Sequence, residues 1–236
     1  MHSLIIEVIL YKTFELEKPP VEPDLVSPWN RNVWLYGLRP PFSLVFVGWI
    51  TLAQALASRF SLEIYLYTIL ASFFGLIIGA HYVDIATSKE KFSPFFQIRS
   101  QEMLAIGAAA IAIGSAIGVY MAVRWSILFL VFVAVESFAA FSYPREKPKL
   151  AHSYMSFGLT WGTVPFLAAF FIQDGMINLL AVGVSIFVGI SVVAMHHLAI
   201  MSRDSPAWRD ALYLLKLYRY SVYSIALLSL AWRLMG

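Results

Sequence analysis

Two apolar stretches of the chain end in histidine and aspartate. "GLIIGAHYVDIATSKEKF" carries His81 and Asp84, and "SVVAMHHLAIMSRD" carries His196, His197 and Asp204. On a helix His81 and Asp84, spaced i, i+3, share one face. The charges around these ends suit an anion site. Ser205-Pro206 is a helix start signal, with a capping serine and proline at the first helical position, so free N–H groups face the region of Asp204. Arg203 and Arg209 flank it, and Lys89, Lys91 and Arg99 lie in the other loop, where Ser100 can cap the next helix. Carboxylates of this kind can hold a divalent metal while Lys and Arg hold phosphate oxygens. Two simpler accounts compete with that chemistry: histidines at helix ends also suit a headgroup layer, and the cations also suit a simple sidedness of charge.

The elements that must position these residues are membrane helices. The chain is 60% hydrophobic and 13% charged, with mean hydropathy +0.73, too apolar for a water-soluble globule of this length. The expected fold is all-α, a polytopic transmembrane helical bundle of about seven spans. A crossing helix needs roughly 20 mostly apolar residues. The stretches that meet this are 42–58, 64–83, 103–123, 125–141, 154–172, 176–201 and 213–233. Arg124 and "IQDG" mark tight turns, and the remaining connections are longer and polar. Of the 17 Lys and Arg, all but Arg59, Arg124 and Arg233 sort to one side. The positive-inside rule makes that side cytoplasmic, with the N-terminus inside and the C-terminus outside. The expected organisation is a cytoplasmic or interfacial segment over 1–32 and a transmembrane domain over 33–236, integral to the cell membrane. The opening "MHSLIIEVILYKTFELEK" lacks a basic start and a small-residue cleavage site, so it suggests a surface amphipathic helix and not a signal peptide. With no cysteine, thiolate metal sites and disulfides are excluded.

This topology brings His81, Asp84, His196, His197 and Asp204 to one membrane face, where buried ionisable groups raise a functional hypothesis. Glu136, in "VFVAVESFAAF", is the one acid near the middle of a span; it is either a proton or substrate contact or a buried acid bonded to Ser or Thr on a neighbouring helix. Trp161, Phe138 and Tyr143 could line an apolar tail cavity or stabilise a cation, although many aromatics must be packing or interfacial belt. "GAAAIAIGSAIG" places small residues four apart, a pattern for close helix packing. A retinal protein wants a Schiff-base lysine deep in its last helix, whereas Lys216 lies at an edge, and histidine-box desaturases need more than the five histidines present.

Residues 33–210 resemble the UbiA superfamily of intramembrane prenyltransferases. "LYGLRPPFSLVFVG" is similar to the family's entry into its first span, "IRSQEMLAIGAAAIAIG" to its third-helix start, and "FSYPREKPKLAHSYMSFGLTWGTVPFLAAF" to the loop after the fourth helix and the fifth helix. The resemblance implies that Asp-rich motifs after the second and sixth helices bind Mg²⁺, which clamps the diphosphate of an isoprenoid donor. It also implies that helices two and six are neighbours around a cytoplasm-facing cavity continuous with an apolar tunnel. The motifs are thin here. Placing Asp84 on the middle acid of N-x-x-x-D-x-x-x-D puts Ala80 and Ser88 on the other two positions, and placing Asp204 on the last acid of the second motif puts His196 and Ile200 on the earlier two.

The implied site is therefore Asp84 and Asp204 as metal ligands and catalytic acids, Lys89, Lys91, Arg99, Arg203 and Arg209 on the diphosphate, and His81, His196, His197, Glu136, Tyr143 and Trp161 around the cavity. The expected partners are an isoprenoid diphosphate, a lipophilic acceptor and membrane lipid, with no nucleic acid. Two alternatives stand beside this one: a non-catalytic lipid- or quinone-binding accessory subunit of the same fold, and a membrane protein in which His81 with His196 or His197 ligates a transition metal or haem.

Overall fold

The computed structural model describes residues 38, 40–87, 100–142, 153–204 and 208–235, a few of them at helix ends by their backbone alone. The N-terminal segment 1–32 and its expected surface helix lie outside the described residues. Among those described there are seven helices and no strand. They are α1 (Pro40–Leu56), α2 (Leu62–Thr87), α3 (Ser100–Arg124), α4 (Ile127–Ser142), α5 (Tyr154–Asp174), α6 (Leu179–Asp204) and α7 (Trp208–Met235). Each overlaps one of the seven apolar stretches, with ends shifted by a few residues. Four of them, α2, α3, α5 and α6, are long and apolar enough to cross a membrane, whereas α1 and α4 contain shorter apolar helices. Large apolar side chains face outward, among them Leu179 at 87% exposed and Leu228 and Phe138 at 71%. An apolar exterior of this extent suits lipid and not water.

Local chemistry sets the helix ends. The Ser61 and Ser153 hydroxyls accept from the backbone N–H groups of Ile64 and Ser156, and the Asn178 carboxamide oxygen from that of Ala181. Each satisfies a donor that the first turn leaves orphaned. At the "IQDG" turn Gly175 takes φ 83°, a left-handed conformation that only glycine adopts at little cost.

Contacts along the helices show that direction alternates. Gly79 and Val83 lie against Gly107 while Gly75 lies against Gly114, so α2 and α3 are antiparallel. Ser115 reaches Ser137 across α3 and α4, and Thr163 reaches Ser185 across α5 and α6. Gly48 of α1 meets Val222 of α7, and Arg233 further along α7 meets Ala55, so these two run parallel. The starts of α1, α3, α5 and α7 and the ends of α2, α4 and α6 therefore share one end of the bundle.

Two helices are wound wider than α-helix in their middles. Phe73–Ala80 of α2 and Leu159–Thr163 of α5 are π-helical, a winding that is rare and recurs at functional sites. Each lies at a glycine crossing. A Cβ on Gly114 would stand 2.6 Å from the backbone nitrogen of Gly75, and one on Gly162 would stand 2.7 Å from the Cα of Gly189. The small residues of "GAAAIAIGSAIG" thus do what their spacing suggests: Gly107, Gly114 and Gly118 admit α2 and α4 at close range.

The opposite end is tied by polar bonds. The buried Gln173 carboxamide donates to the Gln54 side chain at 2.6 Å and to the Ser61 carbonyl at 2.9 Å, and accepts from the Ser61 N–H at 2.9 Å. Asp174 accepts from the Ser58 N–H at 2.6 Å. From α7, Arg233 donates to the Ala55 carbonyl at 2.6 Å and to that of Ala57. The ends of α5 and α7 thereby grip the turn between α1 and α2.

The crossings give a paired prediction. Gly114→Ala forces α2 and α3 apart and should cost about 1–3 kcal/mol by overpacking. Gly183→Ala, with nothing within 4 Å of its added methyl, should be neutral or stabilising by roughly 0.5–1 kcal/mol. Melting temperatures in detergent should rank Gly183→Ala at or above the unmodified protein and Gly114→Ala well below it; equal values would contradict the close approach.

Candidate functional site

His81 begins where the π-helical stretch of α2 ends, and it is only 2% exposed. Its Nδ1 lies 2.9 Å from the Ile77 carbonyl; a carbonyl only accepts, so Nδ1 carries a proton and donates. This bond fixes the ring's orientation. Trp161, within the π-helical stretch of α5, stacks on the imidazole with 5.1 Å between centroids and 17° between planes. Phe42 of α1 approaches both edge-on, 5.6 Å from His81 and 5.2 Å from Trp161, and Phe46 adds a second edge-on contact to Trp161 at 5.9 Å.

The wall continues toward α6. Phe157, one turn before Trp161, lies 6.4 Å from it and 4.5 Å from His196. Tyr154, at the start of α5, lies 6.2 Å from His196 and 6.3 Å from His197. Burial falls along the same direction, from enclosed His81 and Trp161 to half-buried His196 and exposed His197. The result is a continuous aromatic surface running from the interior to one end of the bundle. Edge-on and offset contacts at these separations are the favourable ring geometries.

This arrangement differs from two adjoining histidine-bearing helices. α2 packs chiefly on α3, with smaller contacts to α4, α5 and α1, and α6 packs chiefly on α5 and α7. α5 therefore stands between them, and the link from His81 to His196 runs through Trp161 and Phe157. Asp84, half-buried, lies one turn beyond His81 toward the same end. The side chains of Asp204, Arg203 and Arg209, and residues Lys89, Lys91, Arg99 and Tyr143, lie outside the described residues. Among the described residues no three His, Asp or Glu side chains come together as metal ligands.

Two cavities lie deeper. One of about 60 Å³, partly open, lies among α2, α3, α4 and α5 and is lined by Thr68, Ser72, Ser115, Ser137 and Glu136 among apolar residues. The other, about 10 Å³, reaches Trp161. Both touch Leu76 and Ala140, so the interior steps from Glu136 toward the aromatic wall. Glu136 does not take the hydroxyl partner expected of a bonded buried acid: its Oε1 is enclosed without one, while Ser115 and Ser137 bond each other at 2.6 Å.

Of this site, the sequence pattern marks His81, Asp84, Trp161 and the two helix ends, but not Phe42, Phe46, Phe157 or Tyr154. The i, i+4 spacing of Phe157 and Trp161 was the available signal, since it sets both rings on one helix face.

Trp161→Ala should cost about 3–5 kcal/mol, the usual range for deleting a buried large aromatic. Phe138→Ala, on the outer surface, should stay within about 0.5 kcal/mol. Denaturant unfolding in micelles checks the contrast, and similar losses for both would mean that the ring stack contributes little to the fold.

Comparison with protein-family models, with curated proteins and with solved structures finds no match to this chain.

Proposed function

We propose that this chain is a UbiA-like integral membrane prenyltransferase with seven crossings and a cytoplasmic N-terminus. The observation that carries the reading is the aromatic surface from His81 and Trp161 to Phe157 and His196, which joins the interior to the bundle end bearing Asp84. An isoprenoid donor would lay its unsaturated tail along these rings and its diphosphate at the wet end. There Asp84 and Asp204 would hold one Mg²⁺, and Lys89, Lys91, Arg99, Arg203 and Arg209 would hold the phosphate oxygens. Bound Mg²⁺ supplies neutralisation of charge on the departing diphosphate. The chain's own residues do the rest. The carbon–oxygen bond to diphosphate breaks with its electron pair leaving on oxygen, and the allylic cation left behind is stabilised by the faces of Trp161 and Phe157. A lipophilic acceptor then gives an electron pair to the cation and loses a proton. Apolar walls exclude the water that would otherwise trap the cation.

A second reading, a non-catalytic subunit that binds an isoprenoid or quinone, is favoured by the motifs, in which Asp84 and Asp204 are the only acids that remain. The cavity of about 60 Å³ is small against roughly 300–1,000 Å³ for ordinary ligand pockets. In either case the tail enters by displacing rings of the wall.

Titration of purified protein with a prenyl diphosphate and Mg²⁺ separates the two. Under the enzyme reading, Asp84→Asn and Asp204→Asn each abolish Mg²⁺-dependent binding, product formation falls by at least about 10²–10³, and His196→Ala matters less than either. No Mg²⁺-dependent binding by the unmodified protein would leave the accessory reading in its place. Topology has its own check. Single cysteines at positions 90 and 147, added to a chain that has none, should react with impermeant maleimide only after the membrane is opened from the cytoplasmic side, and labelling from outside would reverse the orientation.

A further inference from the structure

The cavity around Glu136 sits apart from the helix-end site, and its polar lining is unbalanced. Thr68 donates its only hydroxyl proton to the Ile64 carbonyl at 2.8 Å, and Ser115 donates its own to the Ile111 carbonyl at 2.8 Å. In the 2.6 Å contact between Ser115 and Ser137 the donor must then be Ser137, since each hydroxyl has a single proton. Three of the four lining hydroxyls have therefore committed their protons. What they present to the cavity is lone pairs, and the enclosed Oε1 of Glu136 adds more, with no partner. Such a lining asks for donors or for positive charge.

Charge narrows the choice further. A carboxylate among apolar helices needs a proton or a counter-charge. Among the described residues, no side chain lining the cavity from α2, α3 or α5 is titratable or charged, and Glu136 is the one such group from α4. When Glu136 is ionised, its counter-charge is then an ion from solution. A divalent ion would leave an uncompensated charge, because no second acid lines the space. A volume of about 60 Å³ holds roughly four to six water-sized positions at the 10–15 Å³ each requires, enough for one small ion with residual hydration.

We propose that this cavity is a monovalent-cation site in which Na⁺ and a proton compete for Glu136, with the oxygens of Ser137 and Thr68 as further ligands. It would lend the bundle a dependence on Na⁺ separate from any diphosphate chemistry at the helix ends.

A hydrophobic carbodiimide, dicyclohexylcarbodiimide, tests this, because it modifies protonated carboxyl groups in apolar surroundings. The full chain in detergent is treated at fixed pH in NaCl or in choline chloride at equal ionic strength, and the adduct is located by peptide mass spectrometry. The expected result is modification at Glu136 in choline, absent from Glu136→Gln, and suppressed about tenfold once Na⁺ reaches roughly ten times its dissociation constant. Ser137→Ala, which keeps the carboxylate, should label normally but need more Na⁺ for the same protection. Modification that responds to pH but not to Na⁺ would make this a proton site only and overturn the proposal, as would no modification at Glu136 in choline.

Discussion

Helices in lipid gain nothing from hiding apolar surface from one another, so their association rests on how closely backbones can approach. In this bundle that constraint is met at two glycine crossings, Gly75 and Gly79 against Gly107 and Gly114, and Gly158 and Gly162 against Gly189. Both coincide with π-helical winding. An extra residue per turn turns the helix beyond it relative to a regular α-helix. His81 follows one such stretch and Trp161 lies within the other, so the stacking of imidazole on indole depends on both helices being wound and seated in this way. The site is thus an outcome of the packing, and it sits between helices that small residues hold together.

Much of the architecture is legible in the sequence because it depends on local quantities. Apolar run length finds the helices, Gly175 marks the turn before α6, and the four-residue spacing of small residues announces the face of α3 that meets α2. The winding of α2 and α5 is not legible, because i→i+5 bonding is decided by what packs on the helix and "FFGLIIGA" is as compatible with an ordinary turn. The aromatic wall is legible only in part. Trp161 stands out, but Phe42 and Phe157 look like the other rings of an aromatic-rich chain until the neighbouring helices are in place. The expectation that α2 and α6 adjoin came from the family resemblance; the intervening α5 makes their relation one of shared contact with a third helix.

The deep acid shows the opposite situation. Glu136 is conspicuous in the sequence because an apolar run seldom contains one, yet whether it is bonded or open depends on where each hydroxyl proton goes. Ser137 donates to Ser115 and Ser115 to a helix carbonyl, so neither of these hydroxyls donates to the enclosed carboxylate oxygen.

The polar grip at the far end sets how the bundle can deform. Gln173, Asp174 and Arg233 fasten α5 and α7 to the turn between α1 and α2 through main-chain groups, which have no rotamers to yield. Buried bonds of this kind are costly to leave unmade, whereas sliding one aromatic ring over another is cheap. The molecule is accordingly built like tweezers. Its closed joint lies at the Gln54 end, and a small angular change there becomes a larger displacement at the tips, where Tyr154, His196 and the end of α2 stand. Side chains at those tips are held by ring contacts, with none of the main-chain bonds that hold the joint.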